Sequence, residues 1–169
     1  MPEKRKIIYQ TPKRGIYHHS ADISPTGQLQ KINDWHKHLD FPISSKGWFV
    51  GYHDLISQNG FLLNTRAWNE QGAHDQGENV DSVGVAFLNN FNINKPNVAE
   101  ERAMAEVMEH GLNFFDIPIK NWEPHRTNDT TDCPGRNIPD NWAQMCYLKY
   151  KISWLTKLLY WLSFGKAQI

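Results

Sequence analysis

Apolar runs of strand length alternate along this chain with stretches of helical periodicity, and that alternation confines it to the α/β class. Gly15 to His19 reads as a short strand after the turn-prone Thr11-Pro12-Lys13-Arg14. Gln28 to His38 carries Leu29, Ile32 and Trp35 at helical spacing and predicts an amphipathic helix. Trp48 to Ile56 reads as a strand, and Asn59-Gly60 is a hairpin turn before Phe61-Leu62-Leu63. Ser82 to Leu88 is a further apolar strand. Ala99 to Phe115 predicts a helix with Met104, Val107, Met108 and Leu112 facing inward, and Asp116 to Trp122 a last short strand.

With 169 residues, 40% of them hydrophobic and 21% charged, the chain is long enough for one domain with its own core. Lys plus Arg and Asp plus Glu balance at 18 each, so no electrostatic pull toward nucleic acid is expected. The N-terminus is charged but lacks the apolar segment of a secretory signal, and no uninterrupted apolar run reaches membrane-spanning length. A protein made in the cytoplasm is the expectation.

The end of the chain differs in character. Leu148, Ile152, Leu155, Leu159 and Leu162 form one helical stripe, which Trp154, Leu158 and Trp161 widen, and residues 147–169 hold four lysines and no acid. We therefore divide the chain into a body, 1–145, and a C-terminal cationic amphipathic helix, 146–169. That helix either packs on the sheet or touches a membrane or lipopolysaccharide.

Three stretches carry chemistry: Tyr17-His18-His19-Ser20, Gly51-Tyr52-His53, and His125-Arg126 followed by Thr131-Asp132-Cys133-Pro134-Gly135. Two imidazoles and a thiolate make a sound zinc set, and three protein ligands leave a fourth tetrahedral position for water, the mark of a catalytic site. Consecutive strand residues point to opposite faces, so only one of His18 and His19 can serve. Spacing alone leaves that choice even. His125 and Cys133 suit a loop wrapping back on one ion, with Cys133-Pro134-Gly135 as a rigid turn. Two cysteines, Cys133 and Cys146, do not make a disulfide framework. The plain alternatives are a hydrogen-bonded strand histidine and a buried free thiol.

In order along the chain, His18-His19-Ser20-Ala21, Trp35-His36-Lys37, Gly47-Trp48, Gly51-Tyr52-His53, Gly72-Ala73-His74, Asn79, Ser82-Val83-Gly84-Val85, His125-Arg126 and Cys133-Pro134-Gly135 resemble one family. It is that of the zinc amidases, which includes amidase-type phage lysozymes and animal peptidoglycan-recognition proteins. The resemblance implies a single domain with a central mixed β-sheet flanked by helices and a zinc cleft on one face. It implies one zinc per chain, held by His18, His125 and Cys133, and a catalytic Tyr52. Where the phage enzymes carry a second, lysine helper, this chain has Thr131, whose hydroxyl brings no cation.

His74, Asn79 and Arg66 are candidates for substrate contact, with Arg126 as a further side chain able to reach the peptide stem. The plain alternatives are a hydrogen-bonded loop histidine for His74 and solvated surface positions for Arg66, Asn79 and Arg126. His53 and Trp35-His36 read as structural. The expected activity is hydrolysis of the amide between N-acetylmuramic acid and L-alanine in peptidoglycan. A monomeric phage or prophage endolysin, reaching the wall after a holin opens the membrane, is the reading. The alternatives are a catalytically silent peptidoglycan-recognition module and a cytoplasmic amidase recycling muropeptides.

Overall fold

The computed structural model of the protein describes residues 6–152. Among them, five strands form one sheet in the order β3-β2-β4-β1-β5. β1 is Arg14–His19, β2 Asp54–Ile56, β3 Leu62–Asn64, β4 Ser82–Phe87 and β5 Trp122–Pro124. β1 runs parallel to both β4 and β5, β2 parallel to β4, and β2 antiparallel to β3. The sheet is mixed, as the resemblance implied.

Both faces are covered, which is why β4 is buried at every position. Helix α2, Val98–Phe115, and helix α3, Trp142–Tyr150, lie on one face. There Tyr17, Val83, Val85 and Phe87 meet Met104, Met108, Trp122 and Trp142 in the main core. Helix α1, Gln28–His38, covers the other face, where Leu29 and Ile32 pack on Val50, Leu55 and Ala86. Trp35, expected on that inward stripe, is instead 59% exposed. The inward face of α1 is filled by Leu29 and Ile32, and the indole falls at the rim of a groove.

α2 starts one residue earlier than its periodicity indicates, because Asn97 and Glu100 form a capping box. Its inward face holds Met104, Val107 and Met108, whereas Leu112 is half-buried and Gly111 takes the buried position beside it. A Cβ at Gly111 would stand 2.8 Å from the Trp122 ring, so the helix approaches the sheet there only without a side chain.

The hairpin at Asn59-Gly60 forms between β2 and β3, with Gly60 at φ +80° and its N–H donating to Ser57 O. Two expected strands differ from the structure. Of Trp48 to Ile56 only Asp54–Ile56 is strand, because the Val50 carbonyl is taken by the Arg66 guanidinium and the Gly51 carbonyl by Ala73 N–H. The last strand lies later than expected: Pro118 leads into a 3-10 turn, Ile119–Asn121, and β5 follows at Trp122.

The body boundary after residue 145 falls inside α3, whose buried Cys146 belongs to the main core. Lys149 of that helix pairs with Glu101 of α2 at 2.7 Å. The rest of the apolar stripe, from Trp154 to Leu162, lies outside the described residues. No helix among the described residues is long and apolar enough to cross a membrane.

Candidate metal centre

Strand alternation decides between the two neighbouring histidines. Tyr17 joins the main core, so His18 faces the opposite, α1 side of the sheet. There its ring meets those of His125 and Tyr52, at centroid distances of 4.5 and 5.1 Å. His19 is a packing residue: its Nδ1 accepts the Phe91 N–H at 3.0 Å and its ring stacks on Phe91. Its backbone N–H points at the Cys133 sulfur from 3.5 Å.

His125 opens a 3-10 turn directly after β5, and Cys133 returns on the loop that follows. Arg126 shapes that loop by donating to Asp140 Oδ1 at 2.9 Å, to the Gly135 carbonyl at 3.1 Å and to the Ile138 carbonyl. It is committed to the fold rather than free to reach a peptide stem. The ligand atoms of His18, His125 and Cys133 all lie within 4.8 Å of one another. The His18 Nδ1 to Cys133 Sγ distance is 3.8 Å. Zinc bond lengths in a tetrahedral site place such a nitrogen and sulfur about 3.6 Å apart, so the donor set fits the ion with little movement.

The electrostatics suit a neutral-imidazole site. Burial, with His74 and His125 alongside, holds the His18 imidazole well below its ordinary range, so a lone pair is available to a metal at neutral pH. Burial pushes the Cys133 thiol up to about 11, so metal binding there must displace a proton. Burial likewise raises the Tyr52 phenol, with the nearby Cys133 adding to the effect, and keeps it a hydrogen-bond donor. The His36 ring lies tilted against Tyr52 at 5.6 Å and the His74 ring stacks with it at 6.4 Å.

The remaining candidates are distributed differently from the expectation. Arg66 is 1% exposed, and its guanidinium donates to the carbonyls of Pro42, Val50 and Gln71 while pairing with Glu70 at 3.6 Å. It is a structural residue, because a buried guanidinium with its donors occupied has none left for substrate. The Asn79 side-chain oxygen accepts the backbone N–H groups of His74 and Asp75 at 2.8 and 3.1 Å. His74 sits beside the candidate metal ligands, its Nδ1 3.2 Å from His18 Nε2. The Thr131 hydroxyl accepts the Cys133 N–H at 3.2 Å and so helps to shape the ligand loop. His53 is fully buried, bonding Gly84 N–H and Glu70 O, as its structural reading required.

A groove of about 310 Å³ opens beside Tyr52 and His19, walled by Ser20, Asp22, Lys31 and Trp35. Sequence reasoning missed Asp75 and Ser82. Only their positions, next to His74 and at the head of β4, could have drawn attention to them.

Known proteins are similar to this chain in sequence or in fold. Peptidoglycan-recognition protein SC2 of Drosophila melanogaster is 33% identical over 114 residues, 66% of this chain and 58% of that protein. Peptidoglycan-recognition protein SC1a of the same organism is 30% identical over 134 residues, covering 73% of this chain and 68% of that one. The chain thus spans somewhat over half to two thirds of these relatives. Among solved structures, N-acetylmuramoyl-L-alanine amidase LysC from Clostridium intestinale superposes with a TM-score of 0.72 at 26% identity, over 89% of this chain and 93% of that one. The N-acetylmuramoyl-L-alanine amidase family pattern matches residues 9–136, the stretch that contains all five strands and the three clustered donors. The chain belongs to the N-acetylmuramoyl-L-alanine amidase family.

Proposed function

We propose that the protein is a zinc-dependent N-acetylmuramoyl-L-alanine amidase of the endolysin type, acting as a monomer on bacterial peptidoglycan. The observation that carries this reading is the convergence of His18, His125 and Cys133 within 4.8 Å, with the Tyr52 ring beside them. The endolysin type is supported by the likeness to the endolysine N-acetylmuramoyl-L-alanine amidase LysCS from Clostridium intestinale, at 26% identity over 90% of this chain.

Zinc, when held by these three side chains, would polarise the scissile carbonyl and make a bound water acidic enough to attack it. The chain's own residues supply the rest. Tyr52, kept protonated by burial, donates a hydrogen bond toward the oxygen that gains charge. Trp35, Asp22 and Lys31 line the groove in which the substrate lies alongside. The Thr131 hydroxyl, bonded to the Cys133 N–H, acts through the shape of the loop.

The relatives named as recognition proteins favour one other reading, a module that binds peptidoglycan without cutting it. The thiol at Cys133 supports catalysis, since it completes the donor set. Mass spectrometry of purified wall incubated with zinc-loaded protein decides. Release of stem peptides with a free L-alanine amino group is expected, and binding to intact wall without release would establish the silent module. Cleavage confined to soluble muropeptides would instead identify a recycling amidase.

A further inference from the structure

One nitrogen of each imidazole in the candidate metal centre lies near one of two neighbouring residues, His74 and Asp75. The His18 Nε2 atom lies 3.2 Å from His74 Nδ1, and His125 Nε2 lies 3.6 Å from Asp75 Oδ1. The Asp75 carboxylate is buried, whereas Asp129, the other acid near His125 Nε2 at 3.9 Å, is exposed. One side chain fixes the pair, because Asn79 accepts both of their backbone N–H groups.

The hydrogen-bond directions along this path are determined. Ser82 donates its hydroxyl proton to the Glu78 carbonyl at 2.6 Å, so its oxygen is left to accept from His74 Nε2 at 3.3 Å. A neutral imidazole carries one proton, so His74 Nδ1 is then an acceptor, and it takes the proton on His18 Nε2. His18 Nδ1 is left with its lone pair, and that is the nitrogen facing Cys133 Sγ at 3.8 Å. The fold makes room for this seat: a Cβ at Gly84 would stand 2.3 Å from the His74 ring, and one at Gly72 2.6 Å from it.

We propose that the His74-Asp75 pair, clamped by Asn79 and Ser82, presets the tautomers of His18 and His125, so that each presents Nδ1 to the metal. His74, Asp75 and Ser82 are thus positioning residues that act through the ligands, and His74 and Asn79 serve the centre rather than the substrate. This rests on the metal reading of the site. Metal-bound histidines ordinarily hand their second N–H to such a partner, and loss of the partner weakens metal binding about 10–100-fold.

Nitrogen-15 spectra of the metal-free wild-type protein, labelled at histidine, test the tautomers directly. His18, His74 and His125 are expected in the Nε2–H form, and an Nδ1–H form at His18 would overturn the proposal. Zinc affinity, measured by competition with a chromophoric chelator, is expected to fall about 10–100-fold in Ser82→Ala and in Asp75→Ala. Asp75→Asn keeps an oxygen acceptor and is expected to recover most of that loss. In Ser82→Ala the His18 signals should also move toward a mixture of tautomers, which a purely structural role for Ser82 would not produce. Wild-type affinity in both alanine variants would overturn the proposal. If those variants do not fold, the wild-type spectrum decides alone. A wild-type protein that binds no zinc would sink the amidase reading, while the same spectrum would still judge the tautomers.

Discussion

His18 Nδ1 and Cys133 Sγ lie 3.8 Å apart although 115 positions separate them in the chain. Nothing local brings them together: β1 supplies the imidazole, and the loop after β5 supplies the thiol. Because β5 pairs directly with β1, the turn that carries His125 begins at the end of the strand adjacent to His18.

Cys133→Ser is expected to lose most bound zinc and most wall hydrolysis, since a hydroxyl is a far poorer zinc ligand than a thiolate. Elemental analysis of the purified variant, alongside a wall-clearing assay, checks this. Stripping the wild-type protein with a chelator should abolish activity, and added zinc should restore it. Activity that survives removal of the metal would refute a zinc mechanism.

Tyr52→Phe is expected to retain zinc and fold while turnover falls by around 10²-fold, the size of one lost acid–base or oxyanion contribution. Thr131→Ala should cost less, because its hydroxyl serves the Cys133 N–H. Steady-state kinetics on a soluble muropeptide separates the two. A larger loss at Thr131 would reverse the assignment.

Arg66 tests burial against substrate contact. Arg66→Ala leaves Glu70, itself 1% exposed, without its ion-pair partner, and is expected to destabilise the fold by about 3–5 kcal/mol. Arg66→Lys keeps the charge but not the fork that reaches three carbonyls, and should lie between the two. Thermal melts should shift in that order while KM stays constant for folded protein. An altered KM with an unshifted melt would return Arg66 to the substrate site.

Acid should weaken the fold through His53. Burial lowers its pKa from the ordinary 6.5 to about 4, and its Nδ1 accepts the Gly84 N–H, which a second ring proton would oppose. The unfolded chain therefore takes up a proton at His53 as pH falls below 6.5, while the native chain does so only near 4. The contribution is complete above 6.5 and is lost as pH falls through that window, at roughly 1.4 kcal/mol per pH unit. Urea unfolding across the window measures it, and His53→Gln should show a correspondingly shallower slope. Equal slopes would mean that His53 is already charged in the native state.

The sequence by itself determined the α/β class, the hairpin at Asn59-Gly60, the long helix to Phe115 and the residue types of the candidate metal site. Each of these is written in local periodicity, turn chemistry or an ordered set of motifs. Only the tertiary structure chose His18 over His19 without recourse to resemblance, because the face that a strand residue occupies depends on which side each helix covers. Arg66 was read as a side chain free for substrate because its burial depends on the Pro42 and Val50 carbonyls, which lie far from it in the chain. The sequence placed Asp75 beside His74 and Ser82 at the head of a strand, but assigned a role to neither. Their importance lies in hydrogen-bond direction across strands, and that is a property of the folded sheet rather than of any segment of the chain.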